Sequence, residues 1–263
     1  MRITAVVTVR NEERNLHALL ESLVRQEPPF QVLVVDAHSD DRTREIAKRF
    51  IEDYEIVQLH IHGGTRGASR NFGVSKAEGE AVAFIDGDCI ASPFWIRHLR
   101  EGLSKAPIVA GKTVQIGYHP WENLGRVELI YKGTDITHPS CNLAYARDTF
   151  LSIGGFDEWF VTAEDVDLNL RAVRAGNRID QADQALVYHR TRGSVFDFLK
   201  QALWNGVGRK QLTMKHGVLW ASYRPLEMFR EQHTAWSLVR LASATLGYAG
   251  YRAFGRPLPP GVR

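Results

Sequence analysis

Four strand-like runs with helix-like segments between them open this chain, and that alternation leaves few folds available. "ITAVVTV" (3–9) is β-branched, with the length and flanks of a buried strand. After it, Leu16, Leu19, Leu20, Leu23 and Val24 recur at helical spacing, with Asn11 expected to cap the helix and Pro28-Pro29 to stop it. "QVLVVDA" reads as a second strand and "SDDRTREIAKRF" as a second helix capped by serine or aspartate. "EIVQLHI" reads as a third strand, "GASRNFGVSKAEG" as a short helix and "EAVAFID" as a fourth strand. Strands and helices alternating at this spacing predict an α/β fold with a mostly parallel sheet and right-handed crossovers. In such sheets ligands bind beyond the carboxyl ends of the strands.

Asp36 and Asp86 fall at two of those ends. The second belongs to "FIDGDC", which sets Asp86 and Asp88 on either side of one glycine. Asp-Gly is a common turn dipeptide, and a pair of carboxylates is also the start of a metal site. Their place at a strand end favours the site. The second half is less regular. "GGFDEWFVTAEDVDLNLRAVRAG" puts a glycine turn before Glu164-Asp165, which opens a helix to Gly176, and "IDQADQALVYH" reads as a strand ending at His189. Helical stretches and a Pro-rich tail follow. The expected division is an α/β domain over residues 1–190 and a helical extension over 191–263.

Charge divides the same way. The net charge of +3 conceals twelve Lys/Arg against three Asp/Glu from Arg190 onward, with acids in excess before it. The basic part suggests an anionic neighbour, whether phosphate, membrane surface or nucleic acid, with a solvated helix face as the plain alternative. Cys89 and Cys141, the two cysteines, form neither a disulfide framework nor a CxxC pair, so a reducing cytoplasm is expected and Cys89 reads as packing. No signal peptide and no membrane-spanning run is expected. "VAGKT" lacks the first glycine of a phosphate loop, since Ala106 stands there, and no GxGxxG follows the first strand. Zinc spacings such as HExxH are absent.

Carboxylates at Asp36, Asp86/Asp88 and Glu164/Asp165, with His189, remain. A hard divalent ion takes a few protein oxygens and completes its shell with water and substrate phosphates. Asp86 and Asp88 suit that share, manganese tolerates an imidazole better than magnesium does, and a diphosphate is the implied partner.

"VVTVRNEERNL", "VLVVDAHSDDRT", "GASRNFG", "FIDGDC", "GGFDEWF", "AEDVDLNLRAVRAG" and "VYH" occur in this order. Together they resemble the inverting family 2 glycosyltransferases of the GT-A (nucleotide-diphospho-sugar transferase) fold, over residues 1–190. The resemblance implies a mostly parallel central sheet flanked by helices, with the helical C-terminal extension beyond it. It places Thr8, Arg10 and Glu12 at the nucleotide-facing end of the first strand, and Asp36 on the base of a UDP-type donor. Arg70 and Asn71 are implied near the nucleotide and phosphates, and Asp86 near ribose and metal. Asp88 is implied as direct ligand of Mn2+ or Mg2+, and His189 as a group approaching metal or diphosphate. Asp165 is implied as general base, with Glu164 beside it near the acceptor. A carboxylate is the right type for the first task, because a sugar hydroxyl attacks well only as its proton is taken. Arg209 or Lys210 could add charge at the leaving group, and Trp159, Trp204 or Tyr145 could stack on sugar.

Two departures touch the base pocket: Arg10 stands where the family usually has an aromatic, and Asp36-Ala37-His38 replaces Asp-Asp-Gly. UDP is the first expectation and GDP the next. "HTAWSLVRLASATLGYAGYRAFG", interrupted by Arg240, is expected to lie on a membrane or partner chain or to pack on the core. The expected enzyme is a metal-dependent inverting hexosyltransferase. Its partners are a nucleoside-diphosphate sugar and a saccharide or lipid-linked acceptor, with no nucleic acid, at the cytoplasmic face of a membrane and with room for a homodimer. The alternatives are a sugar-1-phosphate nucleotidyltransferase and a non-catalytic sugar-nucleotide-binding relative.

Overall fold

The computed structural model describes residues 1–117, 124–190, 193–217, 219 and 234–255, apart from the side chains of 252–254. The chain begins β1 (Ile3–Val9), α1 (Leu16–Val24), β2 (Phe30–Asp36), α2 (Thr43–Asp53), β3 (Val57–Ile61), α3 (Arg66–Ser75) and β4 (Ala81–Asp86). It continues through β5 (Cys89–Ala91), α4 (Trp95–Leu103), β6 (Ile108–Ile116) and a small hairpin of β7 (Ile130–Tyr131) and β8 (Thr134–Asp135). Last come β9 (Leu143–Ala146), α5 (Arg147–Ser152), α6 (Glu164–Arg174), β10 (Ile179–Arg190), α7 (Val195–His216) and α8 (Ala235–Phe254).

Eight strands form one sheet in the order β3-β2-β1-β4-β9-β6-β10-β5. The β3-β2-β1-β4 block is parallel, β9 runs antiparallel between β4 and β6, and β6 and β10 are again parallel. A sheet covered on both faces needs apolar side chains on both, which is why β1 and β2 read as unbroken apolar runs. Along β1, Ile3, Ala5, Val7 and Val9 join the core on one face, while Val6 joins the core on the other. The first core takes Leu16, Leu19, Leu20 and Leu23 of α1, all fully buried, each worth roughly 1.5–3 kcal/mol relative to exposure. The opposite core is aromatic, built on Phe84, Phe150, Phe156 and Phe160.

One local expectation changes. Asn11 does not cap α1: it adopts a left-handed φ of 58° and its Oδ1 accepts from Asp40 N at 3.0 Å, so it ties the β1 loop to the β2 loop. The helix starts later, with Asn15 at its N-cap position. "VAGKT" lies inside β6, a nine-residue strand that local pattern concealed. Asp86-Gly87-Asp88 is a turn but not a hairpin: β4 pairs with β1 and β9, whereas β5 pairs with β10 at the sheet edge. A Cβ on Gly87 would stand 2.8 Å from Val9 Cγ1 and 2.9 Å from Glu12 Cγ, so only glycine lets this crossing pass so close to the β1 loop.

The C-terminal helices form a separate wall. At their crossing, a Cβ on Gly206 of α7 would lie 1.8 Å from Ala244 O, and one on Gly247 of α8 would lie 1.9 Å from Leu203 O. Backbones this close need glycine on each helix. The far end of α7 is fastened to α6, where buried Asp167 accepts from Lys215 Nζ and His216 Nε2, both at 2.7 Å. Of the settings left open for the last helix, packing on the rest of the protein is observed: Arg240 Nη1 donates to Gly125 O at 3.0 Å. The Pro-rich tail lies outside the described residues. Among the described residues no helix is long and apolar enough to cross a membrane.

Candidate active site

The carboxyl ends of β1, β4 and β10, the start of α6, and the inner faces of α7 and α8 enclose a cavity of about 940 Å³. At its floor lies Arg70, almost wholly buried on α3. It donates Nη1 to Glu164 Oε1 at 2.6 Å and Nη2 to Asp86 Oδ1 at 2.7 Å, beneath a cation–π contact from Phe156. Burial opposes its charge, but Asp86 and then Glu164 more than offset this and hold the guanidinium above its ordinary value. One arginine thus ties a strand end to a helix start across the sheet.

Ala163 precedes that helix in the left-handed region, at φ 63°. A non-glycine residue there costs roughly 1–3 kcal/mol and persists where its surroundings over-determine it. Here it turns Glu164 inward to Arg70 and sets Asp165 at the cavity wall. Asp165 Oδ2 accepts from Ser140 N at 3.1 Å, and Oδ1 from Val166 N at 2.8 Å. Burial first, then the charge of Glu164, lifts its carboxyl to about 6 against those bonds and Arg70. That value suits a group that gives up and takes a proton near neutrality.

Across the cavity, Asp88 Oδ1 stands 3.2 Å from His189 Nε2. Gln115 Oε1 accepts from His189 Nδ1 at 3.0 Å and turns the other ring nitrogen to the carboxylate. Burial would lower the imidazole, but the bond and charge of Asp88 outweigh it and raise it to about 9. The ligand atoms of Asp88, Cys89 and His189 all lie within 4.8 Å of one another. Asp86 is outside this convergence, its Oδ1 engaged by Arg70. The mutual influence of the neighbouring Cys89 and Cys141 thiols raises the first and lowers the second.

Thr8, Arg10 and Glu12 line the cavity at the end of β1, as do Arg70, Asp86, Asp88, Glu164, Asp165 and His189. Two residues expected near the nucleotide do not. Asp36 is fully buried, and its carboxylate closes the loop after β2 by accepting from Ser39 N at 3.0 Å and from Ser39 Oγ; Ala37 lines the cavity instead. Asn71 faces the loop before α6, donating to Phe156 O at 2.8 Å and accepting from Phe156 N at 2.9 Å. Arg209 reaches the wall, while Lys210 Nζ lies 5.0 Å from the ring of Tyr248.

No sugar platform comes from the three aromatics named above. Tyr145 is core and donates to Asn169 Oδ1 at 2.7 Å, Trp159 packs on Phe160, and Trp204 lies on the outside of α7. Among the described residues, Tyr248 lines the cavity. Arg66, Arg126 and Arg240 are further lining residues that sequence reasoning missed. Only Arg66 carried a local signal, as the first residue of a helix capped by Thr65, whose Oγ1 accepts from Ala68 N at 3.2 Å. Helix starts of this kind face anions.

The model for glycosyl transferase family 2 matches residues 4–152. Glycosyltransferase AglE of Haloferax volcanii is 28% identical over 228 residues, 81% of this chain and 74% of that protein. Other curated glycosyltransferases are longer, and the chain spans less than half of each of two that it matches. The fold is shared with Staphylococcus aureus TarS 1-349 in complex with UDP, at TM-score 0.63 and 18% identity over 98% of this chain and 93% of that one. It is shared too with the mannosyltransferase PcManGT of Pyrobaculum calidifontis, in complex with GDP-Man and Mn2+. That match has TM-score 0.65 and 20% identity over 97% of this chain and 76% of that one.

Proposed function

The chain belongs to glycosyl transferase family 2, and from that premise we propose that it moves a hexose, with inversion, from a nucleoside-diphosphate sugar to a hydroxyl or lipid-phosphate acceptor. The carrying observation is one cavity with Asp165, lifted to about 6, on one wall and the Asp88–His189 pair on another. In this reading Asp165 takes the acceptor's proton as the acceptor attacks the anomeric carbon. Arg70 holds Glu164 and Asp86 in place, and the charge of Glu164 sustains the raised basicity of Asp165. The arginines of the cavity meet the charge of the departing nucleoside diphosphate.

A divalent ion fits the donor set. Asp88 and His189 would hold it, since a carboxylate and an imidazole 3.2 Å apart at a strand end suit manganese better than magnesium. When bound, it supplies positive charge to diphosphate oxygens. UDP is the first choice of base, in keeping with TarS, and GDP the second, in keeping with the mannosyltransferase. A lipid-linked acceptor is favoured by Phe196 of α7 and Leu238 and Leu246 of α8, which are exposed at 73%, 56% and 69% on helices that also wall the cavity. They would rest on the inner face of a membrane. Flotation with liposomes tests that contact, and indifference to lipid removes it.

Release of UDP or GDP from sugar nucleotides with Mn2+ present tests the reaction; pyrophosphate released from a nucleoside triphosphate and a sugar 1-phosphate would point to a nucleotidyltransferase instead. Asp165→Asn should bind donor and release nothing. Undiminished turnover in that variant would remove the assigned base.

A further inference from the structure

Cys89 has no part in the reaction above, yet the fold holds its sulfur at the metal-suited pair. The register β10–β5 sets His189 directly opposite Cys89, and directly paired residues share a face of the sheet. The peptide before it is pinned as well, since Asp88 O accepts from Arg190 N at 3.1 Å. Sheet pairing therefore fixes a carboxylate, a thiol and an imidazole around one point, and Gln115 fixes the ring orientation.

We propose that Asp88, Cys89 and His189 form a site for a soft divalent ion of the zinc class, which competes there with the hard ion. The spacing fits. Zinc bonds of about 2.0–2.2 Å to nitrogen and oxygen, and of about 2.3 Å to sulfur, put tetrahedral donors about 3.4 Å (N to O) and about 3.6 Å (S to O) apart. The observed separations are 3.2 Å from His189 Nε2 to Asp88 Oδ1 and 3.9 Å from Cys89 Sγ to Asp88 Oδ1. These two separations are within a few tenths of an ångström of those values, and the third, from Cys89 Sγ to the imidazole, lies within 4.8 Å.

Donor chemistry separates this from ordinary packing and from the hard-ion site. A magnesium or manganese site gains little from a thiol, while thiolate and imidazole together select zinc, cadmium or cobalt. Binding would release the Cys89 proton and one from His189 to solvent. Three protein ligands leave a fourth position toward the cavity, whose lining includes Cys141. The competition rests on the transferase reading; the capture of a soft ion does not.

The full chain with Co2+ as probe decides the matter. A sulfur-to-cobalt charge-transfer band and a tetrahedral visible spectrum should appear at one ion per chain. Both should vanish in Cys89→Ser and persist in Cys141→Ser. Equilibrium dialysis should show zinc affinity falling roughly tenfold or more in Cys89→Ser, with Mn2+ affinity, read from the free-ion resonance, within about twofold of native. Circular dichroism establishes that the variants fold. If Cys89→Ser unfolds, Asp88→Asn and His189→Gln supply the same comparison, each losing the tetrahedral spectrum. An octahedral spectrum without the charge-transfer band, or a band that survives Cys89→Ser, overturns the proposal. In the first case Mn2+-dependent turnover leaves the transferase reading standing. Conversely, a cobalt band in a protein that turns over no sugar nucleotide would sink that reading and keep this one.

Discussion

Replacing Asp165 by asparagine should abolish activity and change the pH dependence of stability. Burial and Glu164 raise this carboxyl from the ordinary 3.8 to about 6, so between those pH values the folded protein binds a proton that the unfolded chain has released. Native stability therefore falls as pH rises through that window. At 1.36 kcal/mol per pKa unit, the ionised carboxylate costs about 3 kcal/mol above pH 6 and nothing below pH 3.8. The amide escapes that cost but has only one oxygen for two backbone donors, Ser140 N and Val166 N. Leaving one of them unmatched costs about 1–3 kcal/mol at every pH. The absolute difference between the proteins is thus small near neutrality, and its pH dependence carries the information. Urea unfolding of both proteins between pH 3.5 and 8 should show the variant gaining about 3 kcal/mol on the native chain as pH rises, mostly by pH 6. Parallel curves would refute the assignment of a strained base. So would a variant that loses ground with rising pH.

Arg70→Met leaves Asp86 and Glu164 facing each other without their cation, and urea unfolding should show a loss of about 3–5 kcal/mol; a loss under 1 kcal/mol would mean that water reaches the pair. Glu164→Gln removes the second-largest cause of the raised Asp165 value, so the acid limb of kcat/KM should move to lower pH, and an unmoved limb would dissociate the two carboxylates. Gly206→Ala sets a methyl against Ala244 O and should loosen α8 from α7, costing about 1–3 kcal/mol and speeding proteolysis between the helices.

The first half of the fold was legible because its signals are local. Parallel strands buried on both faces are continuous apolar runs, and α1 repeats leucine at helical spacing. Later elements are defined by their partners. β9 has four residues and exists because β4 and β6 flank it, and β6 becomes polar and half-buried past Ala110. The register shift between Ala182 and Leu186 breaks the alternation of β10. Sites followed the same rule. The position of Asp36 at a strand end was readable, but the direction of its carboxylate depends on Ser39, three residues later. Asn71 turned on Phe156, a contact across 85 positions. Arg126 and Arg240 reach the cavity only through tertiary packing, which no local pattern records.

That packing also explains the charge division along the chain. The acids of the site, Asp86, Asp88, Glu164 and Asp165, come from the acidic part, whereas Arg209 and Arg240 come from the basic extension and line the same cavity. The surplus of positive charge thus turns partly inward, over a volume suited to a small anion, where a face for nucleic acid would spread it along an exposed stripe. Low-dielectric walls strengthen every charge between them. Burial lowers Arg240 from its ordinary value, because desolvation works against its charge. An anion arriving in the cavity relieves that cost and gains more from Arg240 than it would from an exposed arginine, and a diphosphate or a phosphate headgroup brings the matching charge.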